Sequence, residues 1–120
     1  AGGHAVQAGQ ARGYFEALEE ATRQPGDQSI ARINAAVKTL RTDYGTTDYA
    51  GRGALVAAAA LQARNDLPAA RAQLEWLVQS KNPALAPVAR LRLAGLLFEQ
   101  KDYDAALAQL NDAPQAFAGL

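Results

Sequence analysis

Cysteine is absent from the 120 residues, so disulfides and thiolate-bound metals are excluded and either redox compartment stays open. Charge of one sign is lacking too. Twelve basic residues balance twelve acidic ones, leaving no net field to draw the chain to nucleic acid or to an anionic membrane surface. No uncharged run exceeds eleven residues, as in Gly53–Ala63, well short of the ~20 that span a bilayer. No basic segment followed by an apolar one opens the chain, so no signal peptide is read there. Ala1-Gly2-Gly3-His4, with no initiating Met, reads as the edge of a domain or fragment.

Catalytic chemistry is equally scarce. His4 is the one histidine and has no partner residues nearby in sequence for metal or acid–base work. Ser29 and Ser80 are the two serines, with no histidine placed to activate either. Glu16, Glu19 and Glu20 cluster, but Arg12/Glu16 and Glu19/Arg23 stand at the i,i+4 spacing of solvated helical ion pairs. Gly51-Arg52-Gly53 lacks the residues of a phosphate loop and reads as a point of close helix approach. The expectation is a non-enzymatic chain with no metal and no cofactor.

What is present is alanine. Hydrophobic residues reach 49% while aromatics stop at 7%. Alanine favours helix and fills little volume, which suits closely packed helices better than a bulky-cored sheet. Pro25-Gly26, Gly45-Thr46-Thr47, Asn65-Asp66, Asn82-Pro83 through Pro87, and Lys101-Asp102 cut the chain into helix-length pieces. Between them the apolar spacing is helical. The faces are Ala11, Tyr14, Phe15 and Leu18; Ile30, Ile33, Val37 and Leu40; Ala54, Leu55, Ala58 and Leu61; Ala70, Leu74, Leu77 and Val78; Leu91, Ala94, Leu97 and Phe98; and Tyr103, Ala106, Leu107 and Leu110. Asp27 or Ser29, Thr47 or Asp48, Asp66 and Asp102 are placed as N-terminal caps, and Pro68 suits a first helical turn. A further break is expected at Ala113-Pro114-Gln115.

The chain also repeats itself. "NDLPAARAQL" (Asn65–Leu74) returns thirty-six residues later as "KDYDAALAQL" (Lys101–Leu110). Laying Arg52–Leu74 over Val88–Leu110 gives nine identities in 23 positions. A small residue sits in mid-helix (Ala58, Ala94), a turn with Asp follows, then a large residue (Leu67, Tyr103) and another small one (Ala70, Ala106). Small residues let antiparallel helices approach closely, and a hairpin that cannot bury both faces must stack on another. The expected fold is all-α: one domain, 1–120, a solenoid of about three helical hairpins (pairs about 5–44, 48–80 and 87–112) with six or more helices.

These small and large positions resemble the tetratricopeptide repeat, with "LRLAGLLFEQKDYDAALAQL" the better copy and the N-terminal pair degenerate. More particularly, "YFEALEEA", "YGTTDYAGRGALVAAAAL", "DLPAARAQLEWL" and "APVARLRLAGLLFEQKDYDAALAQLNDAPQAFAGL" resemble the YfgM family of bacterial proteins. That resemblance implies a periplasmic tetratricopeptide-like domain on the inner membrane, held by a single-pass anchor upstream of Ala1. It implies an ancillary role at the SecYEG translocon beside the chaperone PpiD. The alternatives are a cytoplasmic tetratricopeptide adaptor unrelated to secretion and a helical enzyme subunit.

In stacked tetratricopeptide hairpins the first helix of each pair lines the groove for a protein segment. Carried onto this chain, that face presents Arg52, Val56, Ala59, Gln62, Ala63, Val88, Arg92, Gly95, Phe98 and Glu99. Arg52, Val56, Gln62, Arg92, Phe98 and Glu99 are the candidate partner-binding residues. Trp76 lies beside the buried stripe of its helix, as a surface anchor or as packing over a neighbouring helix. Phe117 and Leu120 begin another apolar face beyond Leu107 and Leu110, so the array is expected to be truncated, with an apolar end through which two copies could dimerise.

Overall fold

The structure, a computed structural model, describes residues 2–116, apart from the side chains of His4 and of 112–116. The side chain of His4, and the whole of Phe117 and Leu120, lie outside it. The described residues form six α-helices and no strand: α1 (Gly2–Thr22), α2 (Asp27–Asp43), α3 (Asp48–Ala63), α4 (Leu67–Gln79), α5 (Ala86–Glu99) and α6 (Tyr103–Ala116). Each helix packs on the next, and α1 also packs on α3. The outcome is a slab of 42 × 38 × 21 Å, two helix diameters thick, as stacked hairpins should be.

The thirty-six-residue repeat is written into the backbone as well. Asn65 and Lys101 are the two described non-glycine residues in the left-handed region, with φ of 62° and 64°. Around Asn65, its own N–H bonds Gln62 O and that of Asp66 bonds Leu61 O; around Lys101 the same pair of bonds reaches Phe98 O and Leu97 O. Both helices therefore end in the same left-handed closure, which satisfies their last carbonyls. Asn tolerates this conformation, whereas Lys carries the full steric cost of its Cβ. Lys101→Gly is expected to raise stability by about 1 kcal/mol, and Asn65→Gly to change it much less. A higher urea midpoint at unchanged slope is the check. A lower midpoint for Lys101→Gly would show that the turn is not held as described.

Small residues sit where helices cross. Ala58, Ala70, Ala94 and Ala106 are all buried. Helix α3 is the centre of the slab and buries Ala50, Gly51, Gly53, Ala54, Ala57, Ala58 and Leu61. A Cβ on Gly53 would come 2.8 Å from Leu40 Cδ1 and 3.4 Å from Leu18 Cδ2, while one on Gly51 would meet Leu85 Cδ1 at 3.0 Å. The two glycines thus admit close neighbours on two sides of α3, one from α1–α2 and one from the segment before α5.

Several details differ from the expectation. Asp66 does cap α4, accepting from Ala69 N at 3.4 Å, with Pro68 in the first turn. At α2, however, neither Asp27 nor Ser29 caps: Gly26 holds the N-cap with φ 89°. Ser29 is buried and its hydroxyl donates back to Gly26 O at 2.6 Å. Thr47 precedes α3, but its hydroxyl donates to Tyr44 O instead of accepting from the helix.

Arg23 pairs with Glu20 at 2.8 Å, not with Glu19. Tyr14 is 42% exposed and rests against the Tyr44 ring at 5.7 Å. On α5 the buried face is Ala89, Leu93, Ala94, Leu96 and Leu97, leaving Leu91 and Phe98 more than two-fifths exposed. Tyr103 and Leu107 of α6 are about half exposed. The break at Ala113–Gln115 does not occur, because α6 runs through Pro114 to Ala116.

Candidate functional site: a groove between first helices

Three first helices share one open face. From α1 come Phe15 and Glu19, from α3 Arg52, Leu55, Val56 and Ala59, and from α5 Arg92, around a groove of about 420 Å³. The spacing explains the set: Phe15/Glu19 are four apart, and Arg52, Val56 and Ala59 follow one another on one side of α3. Gly53 behind them keeps α1 close, since Leu18 and Leu40 occupy the space its side chain would need.

The groove has an apolar floor and a charged rim. The Arg52 guanidinium carbon lies 4.7 Å from the Phe15 ring centroid and 5.4 Å from that of Tyr49, a double cation–π contact. The two rings are themselves 5.5 Å apart. Arg92 is exposed on α5. Glu19, released from the expected pair with Arg23, is the carboxylate among the lining residues.

Of the six residues proposed from sequence, Arg52, Val56 and Arg92 come together here. Gln62 and Glu99 are occupied with each other: Gln62 Nε2 donates to Glu99 Oε2 at 2.7 Å, tying α3 to α5. Phe98 rests instead on Tyr103, ring centroids 5.7 Å apart, towards α6. Trp76 is half-buried against the core and walls a separate cavity of about 360 Å³ with Gly45, Thr46, Asp48, Lys81 and Asn82. Phe15, Glu19 and Leu55 were not among the expected binding residues. They belong to, or face, the N-terminal pair, whose sequence departs from the repeat and could not be placed by alignment with it.

Residues 4–120 match the family of tetratricopeptide repeat-like domains. The chain belongs to that family. No curated protein and no solved structure matched. A tetratricopeptide-like domain points to a protein–protein interaction module, and such domains are typically non-catalytic.

The match covers α1 and α2 as well, so the degenerate first pair belongs to the same array and its first helix can take the groove-lining place that α3 and α5 take. Among the described residues no group of three His, Cys, Asp or Glu side chains could hold a metal ion. No described helix is long and apolar enough to cross a membrane. What the groove offers chemically is therefore apolar contact and cationic hydrogen-bond donors.

Proposed function

We propose that the chain holds a segment of a protein partner in the α1/α3/α5 groove, on the periplasmic side of a bacterial inner membrane, as an ancillary part of the SecYEG translocon working beside the chaperone PpiD. The observation that carries the binding part is the groove itself: Val56, Leu55 and Ala59 between Arg52 and Arg92, on the first helices of tetratricopeptide-like pairs. The translocon part is supported by the resemblance of "YFEALEEA", "DLPAARAQLEWL" and the C-terminal segment to the YfgM family. In this reading a single-pass anchor precedes Ala1 in the full gene product.

Affinity capture with the full gene product in its own membrane, followed by mass spectrometry, tests it. Translocon subunits and a periplasmic peptidyl-prolyl isomerase-type chaperone should be enriched over an anchor-only control. Enrichment of cytoplasmic proteins alone would overturn the translocon assignment and leave a cytoplasmic adaptor in its place.

A further inference from the structure

We infer that the segment held in this groove carries an acidic side chain among aliphatic ones, its carboxylate received by Arg52 and Arg92. The inference rests on the groove being the binding surface, as proposed above, and adds the chemistry of the occupant. It begins from the state of the two arginines. Six of the seven other arginines have hydrogen-bonded or ionic partners, Arg12, Arg23, Arg32, Arg64, Arg71 and Arg90, and the seventh, Arg41, whose Nε is buried without a partner, does not line the groove. Arg52 and Arg92 have no hydrogen-bond or carboxylate partner among the described residues. Both line the same groove.

The way Arg52 is held matters more than its exposure. The faces of Phe15 and Tyr49 lie against its guanidinium, and a ring face offers no oxygen acceptor to its N–H groups. Its N–H donors therefore stay without an acceptor, in the forked arrangement that matches a carboxylate. A guanidinium already fixed by two rings loses less side-chain freedom on binding than a free one. Arg92 adds a second cation from α5. One carboxylate, Glu19, lies among the lining residues, so the groove keeps an excess of positive charge in a chain whose formal charge is zero.

Leu55, Val56 and Ala59 between these cations supply apolar contact and no further charge. A volume of about 420 Å³ suits a few side chains of a linear segment. A phosphorylated or nucleic-acid ligand would call for several cations, without the competing Glu19 or the apolar floor. A short run of the type aliphatic–acidic–aliphatic matches both parts of the groove.

Two acetylated, amidated hexapeptide pools test this, with Leu, Val or Ala at the flanks and Glu or isosteric Gln at the centre. Blocked ends leave the side-chain carboxylate as the variable; a Gln pool with a free C-terminus separates a terminal carboxylate from an internal one. Binding to the 120-residue chain is followed by amide shifts in two-dimensional NMR spectra. The Glu pool should shift Arg52, Val56, Ala59 and Arg92 and bind about tenfold more tightly than the blocked Gln pool, the size expected of one charge-assisted contact. The advantage should shrink in 0.5 M salt, about 4 Å of Debye screening. Arg92→Gln should remove most of it, and Lys38→Gln, an equal loss of charge on α2, should keep it.

Equal binding of the Glu and blocked Gln pools at these residues overturns the carboxylate while the groove reading stands. A Glu preference that survives Arg92→Gln overturns it as well. Binding confined to the free-terminus pool reassigns the site to a chain end and overturns the internal acidic residue. Shifts from no pool overturn the inference, and capture by the anchored protein then decides separately whether the groove binds at all.

Discussion

Arg64→Ala is expected to remove about 3 kcal/mol of stability, on the order of 10–15 °C in Tm for a chain of this size. The side chain stands at the end of α3 and reaches across to the first pair. Its Nε donates to Ser29 Oγ at 2.8 Å, one terminal nitrogen donates to Thr22 O at 3.0 Å and Gln24 O at 2.8 Å, and the other donates to Ala60 O at 3.0 Å. Thr22 and Gln24 close α1, where carbonyls have no partner within the helix and a cation is favoured by the helix dipole. Ser29 is buried, and its hydroxyl links the same guanidinium to the start of α2 through Gly26.

One side chain therefore joins the end of α1, the start of α2 and the end of α3. Hydrogen bonds to a charged group contribute roughly 1.5–3 kcal/mol each, but Arg64 is only half-buried and water replaces part of the loss. The total is accordingly set near that of one or two such bonds. Arg64→Lys should recover less than half of it, because an ammonium cannot span acceptors set around a planar fork. Chemical denaturation of the three proteins checks the expectation. A lysine variant as stable as the original would show that charge alone, without the forked geometry, holds the pairs together.

Nothing in the sequence drew attention to Arg64, and the reason is physical. Its acceptors lie some forty residues upstream, in a pair that departs from the repeat, and its counterpart one repeat later is Gln100. Gln100 makes no comparable link: its side-chain oxygen is buried without a hydrogen-bond partner. Repeat matching finds what recurs, so an arginine used once between unlike pairs is invisible to it.

The recurring features, by contrast, were legible. The crossings at Ala70 and Ala106, the Asp66 cap and the equivalent turns after α3 and α5 all follow from local residue chemistry repeated at one interval. The buried face of α5 was misread because Leu91, Leu93, Leu96, Leu97 and Phe98 surround much of the helix and leave no clear stripe. Packing between α4 and α6 buries Leu93 and Leu96, and Phe98 rests on Tyr103.

The groove was legible in the same partial way. Arg52, Val56 and Arg92 could be carried from one pair to the next because α3 and α5 share a register. Phe15 could not, since α1 has no matching partner sequence, yet it forms part of the wall and supports Arg52. Gln62 and Glu99 face the correct helices but bond to each other, which helical spacing alone does not reveal.

A carboxylate placed inside the groove should abolish partner capture, and this is the most direct test of the binding surface. Ala59 and Ala72 are both exposed alanines within helices, Ala59 lining the groove on α3 and Ala72 on α4 away from it. Glutamate is helix-compatible at either position, so each variant should keep the fold and lie within about 0.5 kcal/mol of the original. Ala59→Glu sets a negative group near Arg52 and Arg92 and over the apolar floor, where it competes with the partner's own side chains. The measurement is the amount of partner recovered with the full gene product from its membrane, for the original protein, Ala59→Glu and Ala72→Glu at equal expression and melting temperature. The account predicts at least a tenfold loss with Ala59→Glu and recovery unchanged with Ala72→Glu, a difference of about 1.4 kcal/mol or more. Equal recovery from both variants would contradict it, and would move the binding surface out of the groove.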